Sequence, residues 1–267
     1  MITDINKNII KKNNEPLKLI KKKLHKKKLC FIGDTHGYHR SFQNDINGNK
    51  IDVLIHSGDW SGSSNLDRQK EMFFDLIEWF YFNIDVKTLV LVPGNHELWI
   101  ESQSRTKIKN LIKKIVAGLD TVNGKMKNKN IVFLQDEFIL IHGIGFYGSP
   151  YSNEFFNWAF MENEPGLKTI FSKIPKKTDV LITHGPAFGI NDQVEKFSHL
   201  DCEFYFENTG SFELLDIIKK YKIPIHVSGH IHEAYGQMIL DNDTLHVCSS
   251  VLDENYQKPP NFKIQLL

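Results

Sequence analysis

The chain has few cysteines, almost no net charge and no long apolar run, and each scarcity excludes a class of protein. Three widely separated cysteines do not form the disulfide framework of a small secreted domain, and they favour a reducing compartment. A formal net charge of +1 gives no overall field toward nucleic acid or an anionic membrane. No stretch reaches the roughly 18 apolar residues of a membrane span, and no signal peptide is recognisable. We therefore expect a soluble intracellular protein, located in the cytoplasm or a similar compartment.

Positive charge is concentrated at the start of the chain. Residues 1–28 hold ten lysines against two acidic residues, a net of +8, which leaves −7 for the remainder. We expect residues 1–28 to form a flexible basic extension, for which solvation is a simpler explanation than binding of RNA or an acidic partner. Residues 29–267 are long enough for one large α/β domain, and the chain's hydrophobic fraction of 41% supports a sizeable core.

Short apolar runs of strand length recur in this domain, bounded by Gly, Pro, Asn or Asp. They are Leu29–Ile32, Val53–Ile55, Leu89–Val92, Ile131–Leu134, Phe138–Ile141, Val180–Ile182, Ile225–Val227 and Leu245–Val247. Apolar residues at helical spacing predict helices over 66–81, 105–116 and 212–221. A hairpin-like pair is expected near 131–148. The alternation of strands and helices predicts an α/β fold.

Five short motifs each place a potential metal-binding residue directly after one of these runs. They are Gly33-Asp34-Thr35-His36-Gly37, Gly58-Asp59, Gly94-Asn95-His96-Glu97, Thr183-His184-Gly185-Pro186 and Gly229-His230-Ile231-His232. In open α/β sheets, ligands bind beyond the carboxyl ends of the strands, so one sheet edge would gather loops that lie far apart in sequence. The glycines in these motifs permit sharp turns and close approach of the backbone.

The residue types in these motifs favour a hydrolytic site with two metals. Carboxylate, amide and imidazole donors without a thiolate suit divalent cations such as Mn, Fe, Zn or Ni. Two cations about 3.5–4 Å apart clamp the oxygens of an in-line phosphoryl displacement, and a carboxylate can bridge them. They also lower the pKa of bound water, so that hydroxide is available near neutral pH. Each motif alone is more often structural, but five at strand ends predict such a site.

The five motifs resemble the signature of calcineurin-like metallophosphoesterases. Asp52–Asp59, Gly94–Leu98, Tyr147–Pro150 and His230–Gly236 further resemble the branch called metallophosphoesterase-domain-containing proteins, which contains metal-dependent phosphodiesterases. The match covers roughly residues 29–267 and leaves the basic start outside. The resemblance implies a four-layer α/β/β/α sandwich, in which two mixed sheets pack face to face with helices on the outside.

The resemblance also implies roles for individual residues. It assigns the metal ligands in two groups, with Asp34, His36 and His232 for the first metal, Asn95, His184 and His230 for the second, and Asp59 as the bridge. His96 would bind no metal but would face the scissile group, stabilise charge and protonate the leaving oxygen. The implied activity is hydrolysis of small phosphodiesters such as cyclic nucleotides by a metal-bridging hydroxide, with Mn²⁺ as the expected metal.

Two details of the motifs bear on the substrate. The protein Ser/Thr phosphatases of the superfamily carry an arginine soon after the second Gly-Asp, whereas residues 59–65 here read Asp-Trp-Ser-Gly-Ser-Ser-Asn. This difference disfavours a phosphoprotein phosphatase. Some members of the closer branch have glycine at the position of His230, which weakens their second site. The histidine in this chain therefore predicts two bound metals.

Several residues beside the motifs have two interpretations. Residues 147–160 are rich in aromatic side chains, which would either line the mouth of the site and stack a nucleobase or anchor the loop in the core. Tyr151 and Trp158 are the best candidates for stacking. Glu97 and Glu233 directly follow metal motifs and would either orient a ligand imidazole or be solvated.

Two other functions fit the same residues. A nuclease acting on single-stranded nucleic acid would use the lysine-rich start, and a non-catalytic nucleotide-binding protein would keep the fold without turnover. The expected partner is a small phosphodiester or nucleotide. Neither a membrane nor nucleic acid is expected as a partner, and the oligomeric state stays open.

Overall fold

The computed structural model describes residues 21–22, 24, 27–124, 127–198, 203–239 and 244–267. Most of the predicted basic extension, and Cys202, therefore lie outside the described residues, and the flexibility of that extension stays a prediction. Leu24 is only 2% exposed and belongs to the core. The Lys27 ammonium pairs with Asp52 at 2.9 Å. The packed domain thus begins before residue 29.

The first sheet contains five strands that follow the predicted apolar runs closely. They are β1 (Leu29–Ile32), β2 (Val53–His56), β3 (Thr88–Leu91), β4 (Asn130–Phe133) and β15 (Gln265–Leu266). Their order is β15-β1-β2-β3-β4, with β1 to β4 parallel and β15 antiparallel to β1. Every residue of β1, β2 and β3 is buried, because both faces of the sheet are covered. That is why these strands are continuous apolar runs.

The second sheet contains six strands. They are β5 (Glu137–Ile141), β6 (Ile144–Ser149), β9 (Val180–Thr183), β12 (Ile225–Ser228), β13 (Gly236–Ile239) and β14 (Leu245–Cys248). Their order is β13-β14-β12-β9-β6-β5, with parallel pairs inside and an antiparallel pair at each edge. The hairpin expected near 131–148 is therefore β5 and β6, whereas the preceding run joins the other sheet as β4.

Besides two short 3₁₀ helices, His39–Phe42 and His232–Ala234, six α-helices have their full extent in the described part of the chain. They are α1 (Gln43–Asn47), α2 (Leu66–Asn83), α3 (Leu98–Glu101), α4 (Arg105–Asn123), α5 (Glu164–Phe171) and α6 (Phe212–Tyr221). The three predicted helices are confirmed as α2, α4 and α6. Each begins after a capping side chain, from Asn65, Ser104 or Ser211, that accepts an N–H of the first turn. No helix among these combines the length and apolar character that a membrane crossing requires.

The elements stack in four layers. One apolar cluster lies between the sheets and joins residues such as Phe31 and Val90 to Phe146 and Val227. A second covers the outer face of the first sheet with α2 and α4, and a third covers the outer face of the second sheet with α5 and α6. The predicted α/β/β/α sandwich is confirmed.

Two small ribbons stand apart from the main sheets. The first pairs β7 (Ser152–Asn153) with β8 (Met161–Glu162), and the second pairs β10 (Gln193–Ser198) with β11 (Glu203–Asn208). The β10–β11 hairpin was not predicted. Its residues are exposed or only half-buried on both faces, so no alternation of apolar and polar residues marks it.

Candidate metal centre

The loops after β1, β2, β3, β9 and β12 bring all seven predicted ligands together. Three groups of side chains have potential ligand atoms within 4.8 Å of one another, namely Asp34 with His36 and His232, His36 with Asp59 and His96, and Asp59 with His184 and His230. Asp59 is common to two of these groups. Since the strands come from both sheets, the centre lies where the carboxyl ends of the parallel strands meet.

In the group of Asp34, His36 and His232, the nitrogen lone pairs of the two histidines face each other. His36 Nδ1 faces the carbonyl of Ser61 at 3.1 Å, and His232 Nδ1 faces that of Leu252 at 3.0 Å. A carbonyl can only accept, so in the neutral rings each Nδ1 carries the hydrogen and each Nε2 has a free lone pair. The two Nε2 atoms lie 3.3 Å apart, and Asp34 Oδ1 is 3.9 Å from that of His232. A cation between them would remove the repulsion.

The second group has the same character. His184 Nδ1 faces the carbonyl of Ser57 at 3.0 Å, which leaves the Nε2 lone pair pointing inward. That Nε2 lies 2.7 Å from Asn95 Oδ1 and 3.4 Å from Asp59 Oδ2, and His230 Nδ1 lies 2.9 Å from the same amide oxygen. Oxygen and imidazole donors held by hydrogen bonds on their far side fit a divalent cation.

Neighbouring charges in the centre shift the pKa values of its side chains. Burial alone would raise the pKa of Asp59, but His184 and His96 outweigh it and hold that pKa well below its ordinary value. Burial likewise lowers the pKa of His184, yet the Asp59 carboxylate dominates and raises it to about 9. A divalent cation would compete with the His184 proton for the same lone pair, so metal binding would release a proton.

Backbone strain is concentrated at the same residues. Asp34, His36, Asp59 and His230 have φ angles of 51°, 42°, 54° and 72°, in the left-handed region. Such conformations cost on the order of 1–3 kcal/mol each and persist where other interactions hold them. The His230 N–H, for example, donates to the Asp34 carboxylate at 3.0 Å, as does the hydroxyl of Ser250 at 2.9 Å.

The residues that form this centre lie within a match to a known protein family. The model of the family described as calcineurin-like phosphoesterase matches residues 27–234, which contain all five motifs. The chain belongs to this family. The resemblance drawn from the motifs is therefore confirmed.

Individual relatives support this family membership by their sequence identity to the chain. Metallophosphoesterase domain-containing protein 1 of Homo sapiens is 33% identical over 225 residues, which are 78% of this chain and 63% of the human protein. A UPF0046 protein of Caenorhabditis elegans is 30% identical over 218 residues, 81% of this chain and 67% of the worm protein. The chain thus spans less than two thirds of the human relative. One crystal structure covers 90% of this chain and 98% of its own, with a TM-score of 0.55 at 17% identity, and shares the fold.

His96 lies as close to the centre as the predicted ligands do. Its backbone N–H donates to Asp59 Oδ1 at 2.8 Å, and its Nε2 is 3.8 Å from Asp59 Oδ2. The ring stacks on Trp158, with 4.4 Å between centroids and 25° between planes, and meets the His36 ring edge-on at 4.8 Å. Packing on two sides therefore orients this imidazole beside the bridging position.

Glu97 differs from both sequence-based interpretations, because it is buried and its described hydrogen bonds go to backbone N–H groups rather than to a ligand imidazole. Its side chain is 1% exposed, and its carboxylate accepts the backbone N–H groups of Asp59, Ser61 and Gly94 at 2.7–3.0 Å. Burial, followed by the charge of Asp59, raises its pKa to about 8, while the N–H donors lower it. Glu97 thus ties the loops after β2 and β3 together beneath the centre.

The aromatic residues of the segment 147–160 fit the two interpretations in part, since some anchor the loop and others are exposed. Phe160 is buried, and Tyr151 packs edge-on against it, so these rings anchor the loop. Phe155 is 52% exposed and lines a cleft of about 630 Å³ beside the centre. The described lining of that cleft includes neither Tyr151 nor Trp158. Substrate stacking by those two residues stays a prediction, and Trp158 already stacks on His96.

Sequence reasoning missed Tyr256, which the fold brings to the same cleft. Its ring meets His36 edge-on at 4.7 Å and His232 at 5.2 Å, and 45% of the residue is exposed. It lies in the segment between β14 and β15, far from any motif. No local pattern around a single exposed tyrosine could have indicated this position.

Gly94→Ala should disrupt the centre without changing any donor. A Cβ at this position would meet Asp59 Oδ1 and lie 2.6 Å from His184 Cε1, so the loop must shift. Misplacement of about 1 Å can cost roughly 10²-fold in rate, and we expect a loss of that size together with weaker metal retention. Phosphodiesterase assays and metal analysis would measure both.

Gly118→Ala is the matched control. Gly118 lies inside α4 with nothing within 4 Å of an added Cβ. The substitution should leave activity unchanged and raise the free energy of unfolding by about 0.5–1 kcal/mol. Equal activity of the two variants would contradict the close packing of Gly94 against the donors.

Proposed function

We propose that this chain is a metal-dependent hydrolase of small phosphodiesters, cyclic nucleotides among them. The observation that carries the proposal is the position of the Asp59 carboxylate, whose ligand atoms lie within 4.8 Å both of those of His36 and His96 and of those of His184 and His230. His96 lies beside that carboxylate as a potential proton donor. Membership of the calcineurin-like phosphoesterase family supports the reaction class, and the geometry supports a centre with two metals.

In this proposal the donors divide as the family resemblance implied. Asp34, His36 and His232 would hold one cation, Asn95, His184 and His230 would hold the other, and Asp59 would contact both. When bound, two cations such as Mn²⁺ polarise the phosphate oxygens and make water more acidic. Oxygen and nitrogen donors without thiolate suit Mn²⁺, although Fe, Zn and Ni accept the same set.

The side chains of the protein position the reactants and move a proton. The oxygen of water forms a bond to phosphorus, the bond from phosphorus to one alcohol oxygen breaks, and that oxygen leaves. His96, held by Trp158 and His36, would give a proton to the departing oxygen and regain one from solvent. The products are a phosphomonoester and an alcohol, with no change of oxidation state.

The loop after Asp59 supports a diester over a phosphoprotein as substrate. Trp60 is 1% exposed, Ser61 is buried, and Glu97 holds the backbone of this loop. Residues 59–65 contain no cationic side chain to grip the extra charge of a phosphomonoester. A diester carries one negative charge fewer and depends less on such a group.

Purified protein with added Mn²⁺ should hydrolyse bis-p-nitrophenyl phosphate, and a chelator should abolish the activity. Release of p-nitrophenol measures turnover, and metal analysis measures the number of bound ions, expected to be two per chain. p-Nitrophenyl phosphate serves as the monoester comparison and should be the poorer substrate. Two bound metals without turnover of the diester would refute the phosphodiesterase. Turnover of the monoester would then indicate a monoesterase, and no turnover of either ester a nucleotide-binding protein.

A further inference from the structure

The cleft beside the metal centre has walls from three separate segments. The β10–β11 hairpin forms one wall, the loop that carries Phe155 forms another, and the loop that carries Tyr256 forms a third. His230 and His232 also line this volume of about 630 Å³. A substrate bound at the metals would therefore extend part of its structure into the cleft.

The described lining of the cleft is markedly acidic. Its carboxylates are Glu154, Glu195, Glu207, Glu233 and Glu254. Lys196 is the lone lysine or arginine among the described lining residues, and it forms an ion pair with Glu207. The carboxylate side chains of the lining therefore disfavour a second phosphate or a polynucleotide beside them and favour a cation.

Two exposed aromatic side chains accompany the carboxylates. Phe155 and Tyr256 are 52% and 45% exposed, and the Tyr256 ring touches two predicted metal ligands. Aromatic faces together with carboxylates are the combination that binds ammonium groups. Ser152 also lines the cleft and is 3% exposed, and its hydroxyl has no hydrogen-bond partner among the described residues. A buried hydroxyl without a partner that lines a cleft is explained by a ligand or a water that would bond to it there.

Building on the proposed function, we propose that the cleft binds the ammonium group of an amino alcohol esterified to the reacting phosphate. His96, which would protonate the departing oxygen, is absent from the described lining. The cleft therefore takes the alcohol that stays on phosphorus. Water forms the new bond to phosphorus, the other ester bond breaks, and the products are the free alcohol and the phosphomonoester of the amino alcohol.

A pair of chromogenic esters that differ only in charge tests this proposal. p-Nitrophenyl phosphorylcholine carries a quaternary ammonium, and p-nitrophenyl 3,3-dimethylbutyl phosphate replaces the nitrogen with carbon. We expect kcat/KM to be roughly tenfold higher for the ammonium ester at low ionic strength, because the aromatic and acidic groups of the cleft attract the ammonium group. The preference should shrink as salt is added, because the carboxylates are exposed.

Substitutions in the cleft should reduce that preference. The double variant Glu195→Gln/Glu254→Gln removes one charge from the hairpin and one from the opposite loop. Its ratio of kcat/KM for the ammonium ester to kcat/KM for the neutral ester should fall below roughly threefold. The matched control is Glu71→Gln/Glu78→Gln on α2, outside the described lining, which should keep the wild-type ratio. A wild-type ratio near one, or an equal loss in both double variants, would overturn the proposal.

Binding measurements separate this proposal from the hydrolase itself. Calorimetry with Mn²⁺-loaded protein and the non-hydrolysable phosphonate analogues of the two esters gives the same ratio without turnover. Tighter binding of the ammonium analogue with no hydrolysis of any diester would refute the hydrolase and support the cleft. Hydrolysis of both esters with equal kcat/KM and equal binding would refute the cleft and support the hydrolase.

Discussion

Asp59→Asn should remove both metals and lower phosphodiesterase activity by roughly 10³-fold or more. Bound metals stabilise the transition state by several kcal/mol, and each 1.36 kcal/mol corresponds to about a tenfold change in rate. Asp59 is 2% exposed and is the residue shared by the group with His36 and His96 and the group with His184 and His230. The amide keeps the size of the side chain and an oxygen to accept the His96 N–H. The variant therefore tests charge more than packing.

Metal analysis and hydrolysis of bis-p-nitrophenyl phosphate would measure the effect of Asp59→Asn. His230→Ala is the informative comparison, because it should weaken one metal site and lower activity while the other site stays filled. Asp67→Asn, at an exposed position in the first turn of α2, is the matched control and should change neither quantity. Retention of both metals by Asp59→Asn would show that this carboxylate is not the bridge.

His96→Ala should keep both metals and lose roughly 10²–10⁴-fold in kcat, the usual contribution of a proton donor. The size of the loss should depend on the leaving group. p-Nitrophenolate departs readily without a proton, so the smaller loss is expected with bis-p-nitrophenyl phosphate. A diester with an alkyl leaving group needs the proton and should show the larger loss.

The same variant also decides between two roles that the geometry allows for His96. Its ring nitrogen lies within 4.8 Å of ligand atoms of His36 and Asp59, close enough for a ligand. Loss of one metal in His96→Ala would identify it as a ligand. Full metal content with equal losses for both leaving groups would instead indicate charge stabilisation without proton transfer.

The local pattern of the sequence was sufficient for the strands that carry the donors and for the types of donor. Apolar runs predicted β1, β2, β3, β9 and β12, because strands buried on both faces must be apolar throughout. A polar residue that directly follows such a strand can only lie at the sheet edge. The motifs therefore predicted which side chains would meet.

Among the helices that were not predicted, α5 was missed because its local signal is ambiguous. α5 begins with Glu164-Pro165-Gly166, and Pro-Gly is more often a turn. In the structure, Asn163 caps the helix by accepting the N–H of Gly166, and proline is tolerated in a first turn. Packing of Leu167 and Phe171 into the outer core then decides in favour of a helix.

What the sequence by itself determined is the strands that carry the donors and the donors at their ends, since these follow from local patterns of polarity, whereas the four-layer fold was implied by the resemblance of the motifs to a known family. What only the tertiary structure decided is how side chains distant in sequence are arranged around those donors. Glu97 ties two loops, Trp158 orients His96, and Tyr256 and the β10–β11 hairpin form the cleft. Each of these contacts depends on the packing of whole segments against one another. Short local patterns contain no information about that packing.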